Sequence, residues 1–186
     1  MGNRLSKIYT RTGDGGTTGL ADGSRVDKDS LRVATMGEVD ELNSHIGAIL
    51  LYELPDRAAE VLTDVQHALF DIGGELAIPG FESVTATYVE NLEAALDAWN
   101  DDLPPLKEFI LPGGGPAAVA THIARAICRR AERAMVTLSR GENVNEHSRR
   151  YLNRLSDLLF VLARVAARRE GGEVYWEKGR NSSPAS

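Results

Sequence analysis

Arg125, Arg129 and Arg133 recur every four residues within "RAICRRAER". On a helix that spacing places three guanidinium groups on one face, in company with Glu132 and His122. Like charges at i,i+4 repel by about a few tenths of a kcal/mol per pair, so helix stability gives no reason to stack them. An anion does, because the planar guanidinium fork matches carboxylate and phosphate oxygens. A second stretch, "YTRTGDGGTTGL" from Tyr9 to Leu20, has the composition of a nest that wraps phosphates. Its glycines free backbone N–H groups, and Thr10, Thr12, Thr17 and Thr18 add hydroxyls. It is not a Walker A loop, since no Gly-Lys-Ser/Thr closes it and no buried strand precedes it. By themselves the arginines read as a solvated face partly neutralised by Glu132; the loop turns the reading toward an anion site.

The distribution of charge points the same way. The net charge of -6 and a pI of about 5.3 conceal a basic segment inside an acidic chain. Residues 1–120 carry 20 acidic and 8 basic side chains, whereas residues 121–169 carry 4 acidic and 11 basic, every one of the latter an arginine. A focused anion site fits this pattern; general nucleic-acid binding, which favours a broad basic surface and a high pI, does not. The lone Cys128 cannot form an intramolecular disulfide, and neither a secretory h-region nor an apolar run of about 18 residues occurs. A cytoplasmic protein with no membrane partner is the expectation. The opening "MGNRLS" matches a myristoylation pattern on Gly2, a short motif set aside as chance.

Helices must position these residues. Val33 to Leu51 has apolar residues at Val33, Met36, Val39, Leu42, Ile46, Ile49 and Leu50, a helical rather than alternating spacing, and Pro55 ends it. Ala58 to Leu76 repeats the pattern before Pro79 and Gly80. Thr87 and Glu90 suggest a capping box for a third helix reaching about Trp99. A short extended piece, Phe109 to Leu111, leads into "PGGGP", and Pro116 suits the first turn of a fourth helix running to about Leu138. In that helix Val119, Ile123, Ile127, Ala131, Ala134 and Leu138 form the predicted apolar arc. Asn143 or Asn145 can cap a fifth helix ending near Ala167. The prediction is an all-α, up-and-down five-helix bundle in one domain. It has an irregular N-terminal loop region over 1–31, a bundle core over 32–170, and a C-terminal segment over 171–186 whose "RNSSPAS" reads as a disordered tail.

Other reactive side chains carry less. Cys128 lies near the apolar arc and reads as a small core residue. His45, His67, His122 and His147 are scattered over the helices. A ferritin-like dimetal site wants two Glu-x-x-His pairs, and the nearest approach is a single Asp64-x-x-His67. Glu41 with His45 reads as a helix-surface pair.

Five signatures stand in one order, "KIYTRTGDGGTTGL", "RVDKDSLRVATMGEVDELNSHIG", "FILPGG", "RAICRRAER" and "YLNRLSDLLF". In them the chain resembles the PduO-type ATP:corrinoid adenosyltransferases, a resemblance that runs from Lys7 to about Lys178. The resemblance implies a helical bundle assembling as a homotrimer with active sites at the subunit interfaces. It implies that Thr10, Arg11, Thr12, Gly13, Thr18 and Gly19 bind ATP, with Lys28 a further contact. Across the interface, Arg129, Arg130, Glu132, Arg133 and Asn153 would complete the nucleotide site, and Asp40 would pair with Arg125 of a neighbouring subunit.

The implied reaction is attack of cobalt(I) in the corrinoid on the 5′ carbon of ATP, forming a cobalt–carbon bond and expelling triphosphate. Such a reaction needs no protein nucleophile, only positioning and charge stabilisation, with Arg129 and Mg²⁺ as stabilisers. Phe109 would sit against the lower face of the corrin and displace the axial base, leaving a four-coordinate cobalt(II) that is easier to reduce. Without the resemblance, Phe109 reads as a core anchor. A cob(II)alamin reductase and an adenosylcobalamin-dependent enzyme are the implied partners. The rivals are an ATP-responsive regulatory bundle lacking a corrin pocket and a phosphoryl-transfer enzyme releasing ADP or AMP.

Overall fold

The computed structural model describes residues 9–181, so Lys7, the myristoylation pattern and most of the "RNSSPAS" tail lie outside the described residues. Ser30 opens the first helix, α1 (Leu31–Ile49), its hydroxyl accepting from the Val33 N–H. The apolar ladder of α1 is buried at Val39, Leu42, Ile46 and Ile49. Helices α2 (Ala58–Ala77), α3 (Ala86–Asn100), α4 (Pro116–Leu138) and α5 (Glu146–Glu170) follow. The five-helix expectation holds, with ends within a few residues of the predicted ones.

Two caps are decided by the structure. The Thr87–Glu90 capping box does not form: Thr87 already lies inside the first turn of α3, and Thr85 occupies the cap position without a side-chain bond. Of the two asparagines before α5, Asn145 is the cap, its side-chain oxygen accepting from the His147 N–H at 2.9 Å. Asn145 is buried because its amide also donates to Glu75 at 2.9 Å and to the Val84 carbonyl at 2.8 Å. Glu75, a carboxylate inside α2, further accepts from the Ser83 and Val84 N–H groups and from the Ser148 hydroxyl. One buried acid thereby fastens the α2–α3 connection to the start of α5, its charge offset by four donors.

Helices α1 and α2 pack together, as do α4 and α5; α1 also packs on α4, and α3 on α5. In order of contact the helices run α2, α1, α4, α5, α3, which puts α4 in the middle with α1 and α5 on its flanks. Leu42, Ile46, Leu62, Leu69, Ile72, Met135, Leu152, Leu155 and Leu159 form the sealed core between them. The two ends of that order, α2 and α3, face each other across a groove of about 770 Å³, where the Tyr88 hydroxyl donates to Asp71 at 2.8 Å.

The irregular start contains a hairpin that periodicity did not reveal. Strands β1 (Thr17–Gly19) and β2 (Arg25–Asp27) pair antiparallel, with Thr18 opposite Val26. Asp22 makes the turn by accepting from the Ser24 N–H at 2.9 Å, and Gly23 supplies a positive φ of 89°. Three-residue strands bury too little to leave an alternating signal.

The extended piece at Phe109–Leu111 is extended as expected, and its partner is the C-terminal segment. Ile110 bridges Tyr175, the Leu111 N–H donates to the Val174 carbonyl at 2.7 Å, and the Trp176 N–H donates to the Phe109 carbonyl at 2.8 Å. The strap then enters α4 through Gly114 and Gly115, at φ 97° and 122°. A Cβ on Gly114 would stand 2.5 Å from the Ala167 Cβ, and one on Gly115 would stand 1.8 Å from a Glu170 carboxylate oxygen. Only glycine meets both demands here.

Candidate active site

The structure gathers the predicted loop residues into one surface. The Thr10 and Thr12 hydroxyls are 2.8 Å apart, and Arg11 is left-handed with φ 61°. Gly13 lies against Lys28, whose Nζ would be 3.1 Å from any Cβ at Gly13, and the Lys28 N–H donates to the Gly16 carbonyl at 2.9 Å. Thr18 and Gly19 form β1. Arg25, which the sequence reading passed over, staples the loop: its guanidinium donates to the Thr17 hydroxyl at 2.7 Å and to the Thr12 carbonyl at 2.8 Å. The Thr17 hydroxyl is thereby engaged within the loop. The tether to the bundle is the Ala21 N–H, which donates to the Ala77 carbonyl at the end of α2 at 2.9 Å.

The faces of α4 differ from the predicted wheel. His122 is buried, whereas Val119 and Ile123, assigned to the apolar arc, are exposed. Packing of α1 and α5 on both flanks of α4 selects the small side Ala117, Thr121, Ala124, Cys128 and Ala131 for the closest contacts. Burial, and then the neighbouring Arg125 charge, pushes the His122 imidazole below its ordinary pKa, favouring the neutral ring. It packs edge-on against Phe160 at 6.4 Å.

The four arginines have different settings. Arg125 is half-buried over the Phe160 ring at 6.0 Å, and its buried Nε has no partner among the described residues. Burial and the Arg129 charge lower its pKa, the mark of a cation short of a counter-ion. Arg130 is already paired within the chain, to Glu38 at 2.5 Å and to Glu41 on α1. Arg129 and Arg133 are exposed and make no ion pair among the described residues; Arg133 donates to the Arg129 carbonyl at 3.1 Å. Glu132 accepts from the Asn153 amide at 2.9 Å, joining α4 to α5 beside those two cations. Asp40 is exposed on α1 and forms no ion pair with Arg125 of its own chain. No hydrogen bond or ion pair among the described residues links the loop, Thr10 to Lys28, to Arg129 or Arg133.

Phe109 is 78% exposed, which removes the core-anchor reading. Its aromatic neighbour is Trp176, edge-on with ring centres 6.4 Å apart. Sequence offered no signal for Trp176, 67 positions away along the chain. Cys128 is fully buried, donates to the Leu152 carbonyl, and has its thiol pKa driven up by burial, so it is no nucleophile. Among the described residues no three His, Cys, Asp or Glu side chains gather in a metal-binding group, and no helix is long and apolar enough to cross a membrane. The groove between α2 and α3 is lined by Asp64, His67, Asp71, Tyr88, Trp99 and Tyr151 among others, and by none of the predicted site residues.

An arginine face, a glycine-threonine loop and an exposed aromatic strap stand on a five-helix scaffold, a helical bundle built without the strand and loop of a P-loop protein. The chain belongs to the cobalamin adenosyltransferase family, whose sequence profile matches residues 8–166. It is 58% identical to the cobalamin adenosyltransferase of Cupriavidus metallidurans, over 98% of this chain and 100% of that one. It is 50% identical to the corrinoid adenosyltransferase of Bacillus subtilis, over 95% and 98% of the two chains. A phenylalanine-to-alanine variant of the PduO-type ATP:corrinoid adenosyltransferase of Lactobacillus reuteri, complexed with cobalamin and ATP, matches with a TM-score of 0.86 at 37% identity. That match covers 92% of this chain and 100% of the other.

Proposed function

We propose that the protein transfers the 5′-deoxyadenosyl group of ATP to cob(I)alamin, forming adenosylcobalamin and releasing triphosphate. The observation that carries the reading is the α4 face, where Arg125, Arg129 and Arg133 stand without acidic partners among the described residues while Arg130 is paired with Glu38 and Glu41. Cobalt(I) donates its electron pair to the 5′ carbon as the carbon–oxygen bond breaks, and that pair leaves with triphosphate. Arg129, exposed and unpaired, takes phosphate oxygens; Arg133 and the Glu132–Asn153 pair flank it. The loop from Thr10 to Gly19, with Lys28 beneath Gly13, closes on the nucleotide.

Among the described residues no hydrogen bond or ion pair joins the loop to Arg129 or Arg133, which supports a complete site drawn from two copies. Homotrimeric assembly provides them. Asp40 of one subunit meets Arg125 of the next and supplies the counter-ion that half-buried Arg125 lacks. Mg²⁺ fits this donor set, because a metal carried chiefly by phosphate oxygens needs few protein ligands. When bound it neutralises phosphate charge, and the loop hydroxyls of Thr10 and Thr12 and the Arg129 guanidinium serve the oxygens it leaves. Phe109 presents bulk without a metal-binding atom, which suits a group that excludes the axial ligand and water from cobalt. A cytoplasmic setting, a cob(II)alamin reductase upstream and an adenosylcobalamin-dependent enzyme downstream complete the reading.

The test is to mix the purified protein with Mg-ATP and chemically reduced cob(I)alamin, follow the corrin spectrum and assay inorganic triphosphate. Light-sensitive adenosylcobalamin with equimolar triphosphate establishes the activity. ATP binding without any spectral change leaves a regulatory bundle, and ADP or AMP as product leaves a phosphoryl-transfer enzyme.

A further inference from the structure

We propose that Glu173 and Arg164 are positioning residues that set the stance of Phe109 from beneath the strap. The inference rests on the corrin-facing reading of Phe109 given above. Phe109 itself has almost nothing to hold it: the side chain is 78% exposed, and the Trp176 ring beside it is 41% exposed. Its position therefore comes from the backbone, through the two hydrogen bonds that pair 109–111 with 174–176. What anchors that backbone is a buried ion pair. The Arg164 Nε donates to the Glu173 carboxylate at 2.6 Å, with side-chain exposures of 5% and 1%.

The same guanidinium reaches both strands of the strap. Its Nη2 donates to the Pro104 carbonyl at 2.8 Å, five residues before Phe109, while its Nε holds the residue just before Val174. Arg168 and the Tyr175 hydroxyl add bonds to the other Glu173 oxygen, at 3.4 and 3.0 Å. Close approach at the far end completes the clasp, since a Cβ on Gly113 would be 3.1 Å from Val174. A buried ion pair is a poor source of stability compared with apolar packing of equal volume. Its directional hydrogen bonds instead specify one register, which an exposed aromatic side chain cannot do for itself.

The experiment compares the full-length wild type with Glu173→Gln and Phe109→Ala. Adenosylation is measured from cob(II)alamin reduced on the enzyme and from pre-reduced cob(I)alamin, and the four-coordinate cobalt(II) fraction formed with Mg-ATP is read by electron paramagnetic resonance. Misplacement on the ångström scale costs about tenfold to a hundredfold where geometry controls a step, so Glu173→Gln should lose that much on the cobalt(II) route and less than about threefold on the cobalt(I) route. The four-coordinate signal should fall in parallel, an effect general loss of stability does not produce. If Phe109→Ala lowers the ratio of the two routes and folded Glu173→Gln does not, the clasp is overturned while the Phe109 reading stands. If neither variant lowers it, the Phe109 reading fails and the clasp with it. Should Glu173→Gln not fold, Tyr175→Phe, which removes only the exposed hydroxyl's bond to the same carboxylate, must lower the ratio in the same direction; an unchanged ratio overturns the proposal.

Discussion

The two segments that carry predicted site residues beyond the helices are held in opposite ways. The N-terminal loop is stapled by an exposed arginine, Arg25, and tethered to α2 through the Ala21 N–H. The strap bearing Phe109 is clamped by a carboxylate that solvent barely reaches. Exposed polar bonds are individually weak and exchange easily with water, whereas a buried charged pair breaks only at the cost of an uncompensated ion. In the function proposed above, the loop is thus suited to admit ATP and let triphosphate go, and the strap to stay where it is through the cycle.

The largest effect should come from Arg129→Ala, which removes the charge-assisted phosphate contact proposed for that residue and replaced by neither segment. Turnover should fall by about a hundredfold to a thousandfold, equally from cobalt(I) and cobalt(II), with far-UV circular dichroism unchanged. Wild-type rates from the folded variant would end that role. Phe109→Ala sharpens the comparison by striking one route only: activity from cobalt(II) should drop about tenfold or more while pre-reduced cobalt(I) is still adenosylated. Full, equal activity from both would count against axial displacement.

Arg25→Ala tests the other segment. The KM for ATP should rise about threefold to tenfold with little change in melting temperature, because the bonds lost are exposed and local. A large stability loss would mean that the loop is as firmly built as the strap.

The smallest effect concerns pH. Burial pushes the Glu173 carboxyl up, but the bonds from Arg164, Tyr175 and Arg168 outweigh it and leave the pKa below the ordinary value. A depressed carboxylate stabilises the fold above its unfolded pKa of about 4.3, and that contribution is lost as the pH falls through the folded value. Hydrogen exchange at the Leu111 and Trp176 amides should stay protected from pH 7 down to the usual glutamate range and open only below it. Opening near neutral pH would refute the clamp.

How much of this was written in the sequence depends on the distance over which each signal acts. The helices were legible because their apolar spacing is local and long; α4 begins at Pro116 and ends at Leu138 as its residues predict. The rotation of α4 was not legible. Polarity alone put His122 with the arginines, yet the neighbouring helices bury it and leave Val119 and Ile123 outside. The loop and the arginine face were visible from composition and spacing. Arg25 was hidden because a hairpin of two three-residue strands has no periodic signature. Glu173 was hidden for another reason: its partner lies nine residues back in α5, brought near only by the glycine pair Gly171–Gly172, at φ 155° and 102°. The pairing of Arg130 with Glu38 and Glu41 likewise needs α1 and α4 side by side, so that arginine could not be told from its neighbours in advance.

The turn at Gly114 and Gly115 has a hereditary consequence. Every missense change in either codon drives a Cβ into α5, at Ala167 or Glu170. Packing and backbone conformation together oppose any side chain at those two sites, whereas at the strap's opposite end Leu106 to Glu108 are exposed and a changed side chain there meets no such barrier.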